Sequence, residues 1–239
     1  MSAKGKVKKK KRTLRNLTLT VFILLCVVFA VSFANNFKSL SDDQVDHSNV
    51  FKQNQDDSDW NLILVNAENY MPDDYTFTLM TLKNDYQIDE RIYSDLQEMF
   101  DAARSEGIYP SIGEAYRTSD EQQSLYTDKV NAYIAEGYSE KKAKELANAW
   151  VALPGTSEHQ LGLALDINAE KDKCTNDEVY MWLNENSYQY GFILRYPAAK
   201  VGITGVNYEP WHYRYVGREA AKEIYEQNIC LEEYLNRLQ

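Results

Sequence analysis

The sequence is poor in the residues that usually cross-link or coordinate small domains. Its 239 residues include only three cysteines and three histidines, with five prolines and ten glycines. Cysteines this scarce, without Cys-x-x-Cys spacing, exclude a disulfide scaffold and a cysteine-based zinc site. The low glycine and proline content excludes a collagen-like or low-complexity chain, and 44% hydrophobic residues predict that most of the chain folds. Whether Cys174 and Cys230 pair is left open by the sequence.

Positive charge is scarce everywhere except at the N-terminus. Residues 1–15 carry eight lysines and arginines and no acid, and without them the net charge of −10 becomes −18 for residues 16–239. A body this acidic argues against binding nucleic acid or an anionic polymer by bulk charge. Any anionic ligand of the folded part therefore needs a local positive group.

One uncharged run, residues 17–34 (LTLTVFILLCVVFAVSFA), follows the basic segment directly. Its length is about the minimum for a helix that crosses a bilayer. The positive-inside rule then keeps residues 1–16 in the cytoplasm as a basic tail. We therefore predict one N-terminal transmembrane helix, with everything after it outside the cytoplasm. A cleaved signal peptide is the alternative, since the tripeptide at 32–34 (SFA) is a small-x-small site.

The rest of the chain is predicted to be a polar linker followed by one folded domain. Residues 35–59 are rich in Asp, Asn, Ser and Gln and form the linker, and residues 60–239 form the domain. Short strands and helices alternate irregularly in the domain, which predicts an α+β fold with a small, largely antiparallel sheet. Strands are predicted at 61–66, 109–117, 162–167 and 211–216, and helices at 88–107, 118–136, 139–150, 176–188 and from 217 onwards.

Two of the predicted strands carry a face of small residues that includes one charged side chain. In GLALDI (162–167) the leucines and isoleucine share the core face, and Asp166 lies on the opposite face beside a glycine and an alanine. In YPSIGEAYR (109–117) the same alternation places Arg117 on a face of serine, glycine and alanine, with Glu114 as an exception. Because small neighbours leave space beside each charge, we predict that both strands line one cavity.

Two of the three histidines lie close to carboxylates in this region. His159 precedes Asp166 by seven residues, and His212 follows Glu209 by three. Two imidazoles and one carboxylate are a common ligand set for catalytic zinc, and a further carboxylate outside the metal shell serves as general base. Ordinary structural roles are the alternative for each residue. A serine nucleophile, Ser157 with His159, is another alternative, although no Gly-x-Ser-x-Gly elbow surrounds it.

Three stretches together resemble a known family. SEHQLGLALD (157–166) fits Ser-x-His-x-x-Gly-x-Ala-x-Asp, and EPWH (209–212) fits Glu-x-Trp-His. EAYRTSDEQQSLY resembles the family's Tyr-Arg-Ser segment, with Thr118 in place of the serine and Gln122 five residues after the arginine. On these motifs the chain is similar to the zinc D-Ala-D-Ala carboxypeptidases, the VanY-like branch (M15B) of peptidase family M15, over about residues 60–228.

The resemblance implies a zinc enzyme with a defined set of metal ligands. His159, Asp166 and His212 would bind Zn²⁺, and Glu209 would be the catalytic base. The implied fold is a Hedgehog/DD-peptidase-like α+β domain with a small central antiparallel sheet and packed helices. The implied location is the outer face of the cell membrane of a bacterium of Gram-positive type.

The resemblance also implies the substrate. Such enzymes remove the terminal D-alanine from peptidoglycan stem peptides, and both pentapeptide (D,D) and tetrapeptide (L,D) stems remain open. Arg117 would hold the substrate carboxylate or polarise the scissile carbonyl, and Ser157 and Gln122 would contact substrate. A non-catalytic zinc-containing domain that binds the cell wall is the alternative function.

Overall fold

The computed structural model describes residues 59–239. The predicted basic tail and transmembrane helix, and the linker up to residue 58, lie outside these residues. Between residues 59 and 239, none of the helices combines the length and the hydrophobicity that a membrane span requires. This part of the chain has the predicted α+β architecture, with two small antiparallel sheets and packed helices.

The strands form a hairpin and a four-stranded sheet. They are β1 (Leu79–Thr81), β2 (Gln87–Asp89), β3 (Pro110–Glu114), β4 (Ala164–Ala169), β5 (Phe192–Leu194) and β6 (His212–Tyr215). β1 pairs with β2, and the larger sheet has the strand order β3–β4–β6–β5 with all neighbours antiparallel. β4 and β6 are therefore the central strands.

Helices cover the sheets, and two of the predicted helices begin at a side-chain cap. The helices are α1 (Tyr93–Ser105), α2 (Ser119–Ala135), α3 (Glu140–Asn148), α4 (Asn176–Asn186), α5 (Val201–Thr204), α6 (Arg218–Gln227) and α7 (Leu231–Arg237). Thr118 caps α2 through a capping box with Glu121, whose carboxylate accepts the Thr118 backbone N–H at 2.8 Å. Ser139 caps α3 by accepting the N–H of Lys142. These caps fix where both helices begin.

The centre of the core is one face of β4 and the residue before it. Leu163, Leu165 and Ile167 are fully buried and pack with side chains of α1 and α4. The opposite face carries Asp166, as strand alternation predicts. In the sheet register Asp166 pairs with Glu114 on β3 and with His212 on β6. The sheet therefore places polar side chains from three strands side by side.

The apolar segment 61–66 does not form the predicted strand. Its Ile63 and Val65 are buried in the main core, while Leu62 and Leu64 pack on a second cluster. Two of its backbone carbonyls, those of residues 61 and 63, accept hydrogen bonds from Nη2 of Arg214 at 3.0 and 2.9 Å. The guanidinium group of Arg214 therefore donates the hydrogen bonds that a neighbouring strand would otherwise provide to these carbonyls.

Three further boundaries differ from the prediction. β3 ends at Glu114, before Arg117, and a bulge between Ile112 and Glu114 shifts its register, which breaks the alternation and explains why Glu114 did not fit the pattern. The start of the predicted helix 88–107 is instead the end of β2 and a 3-10 turn. The C-terminal helix is divided by Asn228, whose φ of 51° ends α6. The described cysteines, at positions 174 and 230, are both free thiols.

Candidate metal centre

The three predicted metal ligands meet at one point. Asp166 and His212 are cross-strand partners on β4 and β6, and His159 lies on the 3-10 helix Glu158–Leu161 that precedes β4. Asp166 Oδ1 lies 3.5 Å from His159 Nε2 and 3.1 Å from His212 Nδ1. All three ligand atoms lie within 4.8 Å of one another, an arrangement that could hold one metal ion.

A glycine allows the turn that brings His159 to the strands. Gly162 ends the 3-10 helix with a φ of 70°, a left-handed conformation that favours glycine. A Cβ at this position would lie 2.9 Å from the backbone nitrogen of Asp89 and 3.0 Å from the ring of Phe77. Both the backbone angle and the space therefore require glycine in this motif.

Each ligand imidazole turns one nitrogen towards Asp166 and the other towards a different acceptor. His159 Nδ1 donates to the carbonyl oxygen of Ala115 at 2.7 Å, which leaves Nε2 facing Asp166. His212 presents Nδ1 to Asp166, and its Nε2 lies 3.6 Å from Glu158 Oε2. The two rings are perpendicular, with centroids 4.9 Å apart. Such outer contacts orient imidazole ligands in metal sites.

The electrostatics of the three ligands match a cation site. Burial alone would raise the pKa of Asp166, but the charges and hydrogen bonds of His159 and His212 lower it well below its usual range. Burial opposes protonation of His212, yet the neighbouring carboxylates of Asp166 and Glu158 raise its pKa to about 9. A metal ion binds neutral imidazole. On binding it would therefore displace the ring proton of His212 that Asp166 and Glu158 stabilise.

Glu209 lies beside the three ligands, on the turn before β6. It is buried, and its Oε2 lies 3.8 Å from His212 Nδ1. Burial raises the pKa of Glu209 to about 7. The charges of His212 and Arg117 oppose this rise in pKa, and the charge of Asp166 adds to it. A carboxyl with a pKa near neutrality is suited both to accept and to return a proton.

One cavity of about 250 Å³ joins every predicted site residue. Leu125, Trp150, Val206 and Trp211 form its apolar walls. The predicted site residues that line it are Arg117, Gln122, Ser157, His159, Asp166, Glu209 and His212. The cavity therefore presents a cation, a carboxyl group and the three predicted metal ligands to whatever enters it.

Arg117 is held from two sides after the end of β3. Its Nη2 forms an ion pair with Glu114 Oε2 at 3.0 Å, and its Nη1 donates to Gln122 Oε1 at 2.7 Å. Gln122 Nε2 donates in turn to the carbonyl of Ala152 at 2.6 Å. Both polar ends of Gln122 thus contact protein, so the structure makes this residue a support for Arg117, and its contact with substrate stays a prediction.

Ring orientation gives no support to a serine nucleophile. Ser157 is buried and lines the cavity. Both nitrogens of His159, however, face other atoms, the carbonyl of Ala115 and the carboxylate of Asp166. Among the described residues, no hydrogen bond joins the Ser157 hydroxyl to either ring nitrogen, as an activated serine nucleophile would require.

Sequence reasoning missed a group of four buried charged residues behind the triad, which we call the buried charge cluster. It consists of Glu158, Arg195, Arg214 and Glu232. Glu158 Oε1 accepts from Arg195 Nε at 2.7 Å and from Arg214 Nη1 at 2.9 Å, and Glu232 binds the other side of Arg195. The signal was an arginine within each of two apolar segments, FILRYP and WHYRYV.

Comparison with known proteins agrees with the geometry. The model of the family "VanY: D-alanyl-D-alanine carboxypeptidase" matches residues 85–218, more than half of the chain and a range that contains every predicted site residue. The chain belongs to the VanY D-alanyl-D-alanine carboxypeptidase family. The resemblance inferred from the sequence motifs is therefore confirmed.

Individual VanY relatives match over most of the described residues. A D-alanyl-D-alanine carboxypeptidase of Enterococcus faecalis is 56% identical over 185 residues, which are 77% of this chain and 69% of the relative. VanYB in complex with D-alanine-D-alanine superposes with a TM-score of 0.73 and 57% identity, over 74% of this chain and 98% of that one. A mutant of the D,D-pentapeptidase VanY from a VanB-type resistance cassette, solved with Zn(II), gives 0.72 and 57%, over 74% and 99%.

A second kind of carboxypeptidase shares the fold. The LdcB LD-carboxypeptidase superposes with a TM-score of 0.60 and 36% identity, over 72% of this chain and 84% of that one. The α+β fold predicted from the sequence is thus shared by enzymes of both kinds.

Proposed function

We propose that this chain is a zinc-dependent D,D-carboxypeptidase that removes the C-terminal D-alanine from peptidoglycan stem peptides. The observation that carries the proposal is the convergence of His159, Asp166 and His212 beside Glu209, in a cavity that also contains Arg117. Relatives solved with Zn(II) and with D-alanine-D-alanine support the metal and the substrate.

The residues present fit zinc. Two imidazole nitrogens and one carboxylate oxygen are a ligand set of catalytic zinc that leaves a position for water or substrate. The orienting contacts of both rings, to Ala115 and to Glu158, are of the kind that zinc-binding histidines make. When bound there, zinc supplies a Lewis acid that activates water and polarises the scissile carbonyl.

The chain's own residues supply proton transfer and charge. Glu209 accepts a proton from the attacking water as the new C–O bond forms, and passes it to the nitrogen of the departing D-alanine as the C–N bond breaks. Arg117 provides the positive charge that the substrate carboxylate or the oxyanion requires. Because the body of the protein is strongly acidic, this cation has to be local.

Identity favours D,D- over L,D-specificity. The VanY structures are 57% identical to this chain, whereas LdcB is 36% identical. We expect the purified chain to release one D-alanine from a pentapeptide stem and to leave a tetrapeptide stem intact, as measured by mass spectrometry of both digests. Cleavage of the tetrapeptide alone would make the enzyme an L,D-carboxypeptidase.

Chelation separates this enzyme from a non-catalytic zinc-containing domain. We expect turnover to cease when zinc is removed with a chelator and to return when zinc is added back, since Lewis-acid chemistry depends on the ion. A chain that binds zinc and cleaves neither stem peptide would instead favour the non-catalytic alternative.

Replacing Arg117 with alanine is expected to lower kcat/KM by about 10²- to 10³-fold, the usual cost of losing a donor to developing charge. Whether the loss appears in kcat or in KM identifies the role of Arg117. A fall in kcat indicates stabilisation of the oxyanion, and a rise in KM with kcat unchanged indicates binding of the substrate carboxylate. Gln122→Ala serves as the matched control and should cost less, because Glu114 still holds Arg117. Wild-type kinetics for the Arg117 variant would exclude both roles.

The location proposed is the outer face of a bacterial membrane of Gram-positive type. The basic residues 1–16, the uncharged run 17–34 and the polar residues 35–59 support a single-pass anchor, with the enzymatic domain at 60–239 outside the cell. Protease treatment of intact cells tests this placement, since an extracytoplasmic domain is removed and a cytoplasmic one is protected.

A further inference from the structure

The buried charge cluster lies beside one of the three predicted metal ligands, where Glu158 faces His212. Glu158 uses Oε1 for both arginines, accepting from Arg195 Nε at 2.7 Å and from Arg214 Nη1 at 2.9 Å. Its second oxygen, Oε2, faces His212 Nε2 at 3.6 Å. The carboxylate therefore joins two guanidinium groups on one side to a predicted metal ligand on the other.

Both atoms of this pair are buried and otherwise unsatisfied. In the described part of the chain, neither Glu158 Oε2 nor His212 Nε2 has a hydrogen-bond partner within normal distance. Buried polar atoms are nearly always hydrogen-bonded, because leaving one unpaired costs the full loss of its hydration. The separation of 3.6 Å is only a little longer than a hydrogen bond, so a small ring rotation satisfies both atoms at once.

The arginines hold Glu158 through one of its two oxygens. Arg195 and Arg214 are fully buried, and both donate to Glu158 Oε1. Arg214 is fixed further by donating to the carbonyls of Tyr215 and Ile63, at 3.0 and 2.9 Å, and Arg195 by the two oxygens of Glu232. Glu158 is thus locked in place with one oxygen directed at the imidazole.

We propose that Glu158 is a positioning residue that fixes the tautomer and orientation of His212. By accepting a hydrogen bond from Nε2–H, it leaves the Nδ1 lone pair of His212 directed at the metal position beside Asp166. This inference rests on the proposed zinc site and adds to it a role for a residue outside the ligand set.

The proposal makes the two ligand histidines unequal. His159 donates from Nδ1 to the carbonyl of Ala115 and so binds metal through Nε2. In the proposed arrangement His212 donates from Nε2 to Glu158, 3.6 Å away in this structure, and so binds metal through Nδ1, which faces Asp166. The same ion is thus held by opposite nitrogens of two imidazoles.

Zinc affinity tests the role directly. Glu158→Gln keeps the size of the side chain and removes its charge, and we expect the zinc dissociation constant to rise about 10- to 100-fold in competition with a chromophoric chelator. Glu232→Gln is the matched control, because it also removes a carboxylate from Arg195 but does not touch His212. We expect the control to keep wild-type affinity. Equal affinities for the two variants would overturn the proposal.

A measurement on the unmutated chain keeps the proposal testable even when Glu158→Gln does not fold. Nitrogen NMR of the zinc-loaded full-length chain, labelled at histidine, should show one imidazole coordinated through Nδ1 and one through Nε2. Coordination of both through Nε2 would contradict the proposal. Wild-type protein that binds no zinc would instead refute the proposed function, so the two failures are distinguishable.

Discussion

Replacing Glu209 with alanine is expected to leave zinc binding intact and to lower kcat by about 10²- to 10⁴-fold, the range that general acid–base catalysis supplies. Glu209 lines the cavity, but its carboxylate is not part of the group of three converging ligands. Burial places its pKa at about 7, so it is matched to a proton that must be taken up and returned at neutral pH. Kinetics on a pentapeptide stem, with zinc content by elemental mass spectrometry, measure both halves of the prediction.

Two variants control for nonspecific effects of this change. Glu209→Gln keeps the shape of the side chain without its proton chemistry, and it should be as inactive as the alanine variant. Glu140→Ala removes an exposed glutamate that pairs with Lys144 on α3, and it should keep full activity. An active alanine variant at position 209 would show that another group moves the proton, and loss of zinc from it would make Glu209 a ligand.

Replacing His159 with alanine is expected to abolish stoichiometric zinc binding and, with it, turnover. The change removes one of three ligand atoms, and its cost in zinc affinity should exceed the roughly 10- to 100-fold that loss of an outer contact causes. A ligand that binds only the folded state raises its stability. The zinc-dependent increase in Tm that we expect for the wild type should therefore disappear.

The sequence provides a matched control for the histidine change. His47→Ala removes the histidine that the sequence places in the polar linker, and this variant should retain zinc and its stabilising effect. Full zinc occupancy in the His159 variant, measured beside this control, would remove His159 from the site.

Local signals in the sequence predict most of the elements around the site. Thr118 and Ser139 mark the starts of two helices because their side chains satisfy backbone N–H groups that a helix leaves free. Alternation along 162–167 separates the core face from the face of Asp166, because a strand turns successive side chains to opposite sides. Both signals depend only on neighbouring residues.

The sequence could not predict how segments that are distant along the chain pair with one another. The run 61–66 has a strand-like composition, yet its carbonyls bond to Arg214, since an apolar pattern reports burial and not the hydrogen-bonding partner. The bulge that displaces Glu114 depends on the register with β4, which no local pattern encodes.

The same limit explains which parts of the site could be predicted. The predicted ligand residues stand out because histidine is scarce and because the motifs resemble a family. Glu158 occupies a position that the motif leaves unspecified, and its arginine partners lie 37 and 56 residues further on. A charge in an apolar strand indicates that it has a partner, but only the fold shows which one.

The salt bridge between α7 and Arg195, the residue that follows β5, has a consequence for work with shortened chains. Glu232 holds both terminal nitrogens of Arg195, at 2.9 and 2.7 Å, and Arg195 is completely shielded from solvent. Removing the chain from Leu231 onwards would leave both terminal nitrogens of the buried Arg195 without their Glu232 partner. Breaking a buried ion pair lowers the free energy of unfolding by about 3–5 kcal/mol. Since a whole domain is stable by only about 5–15 kcal/mol, any shortened chain should keep helix α7 whole.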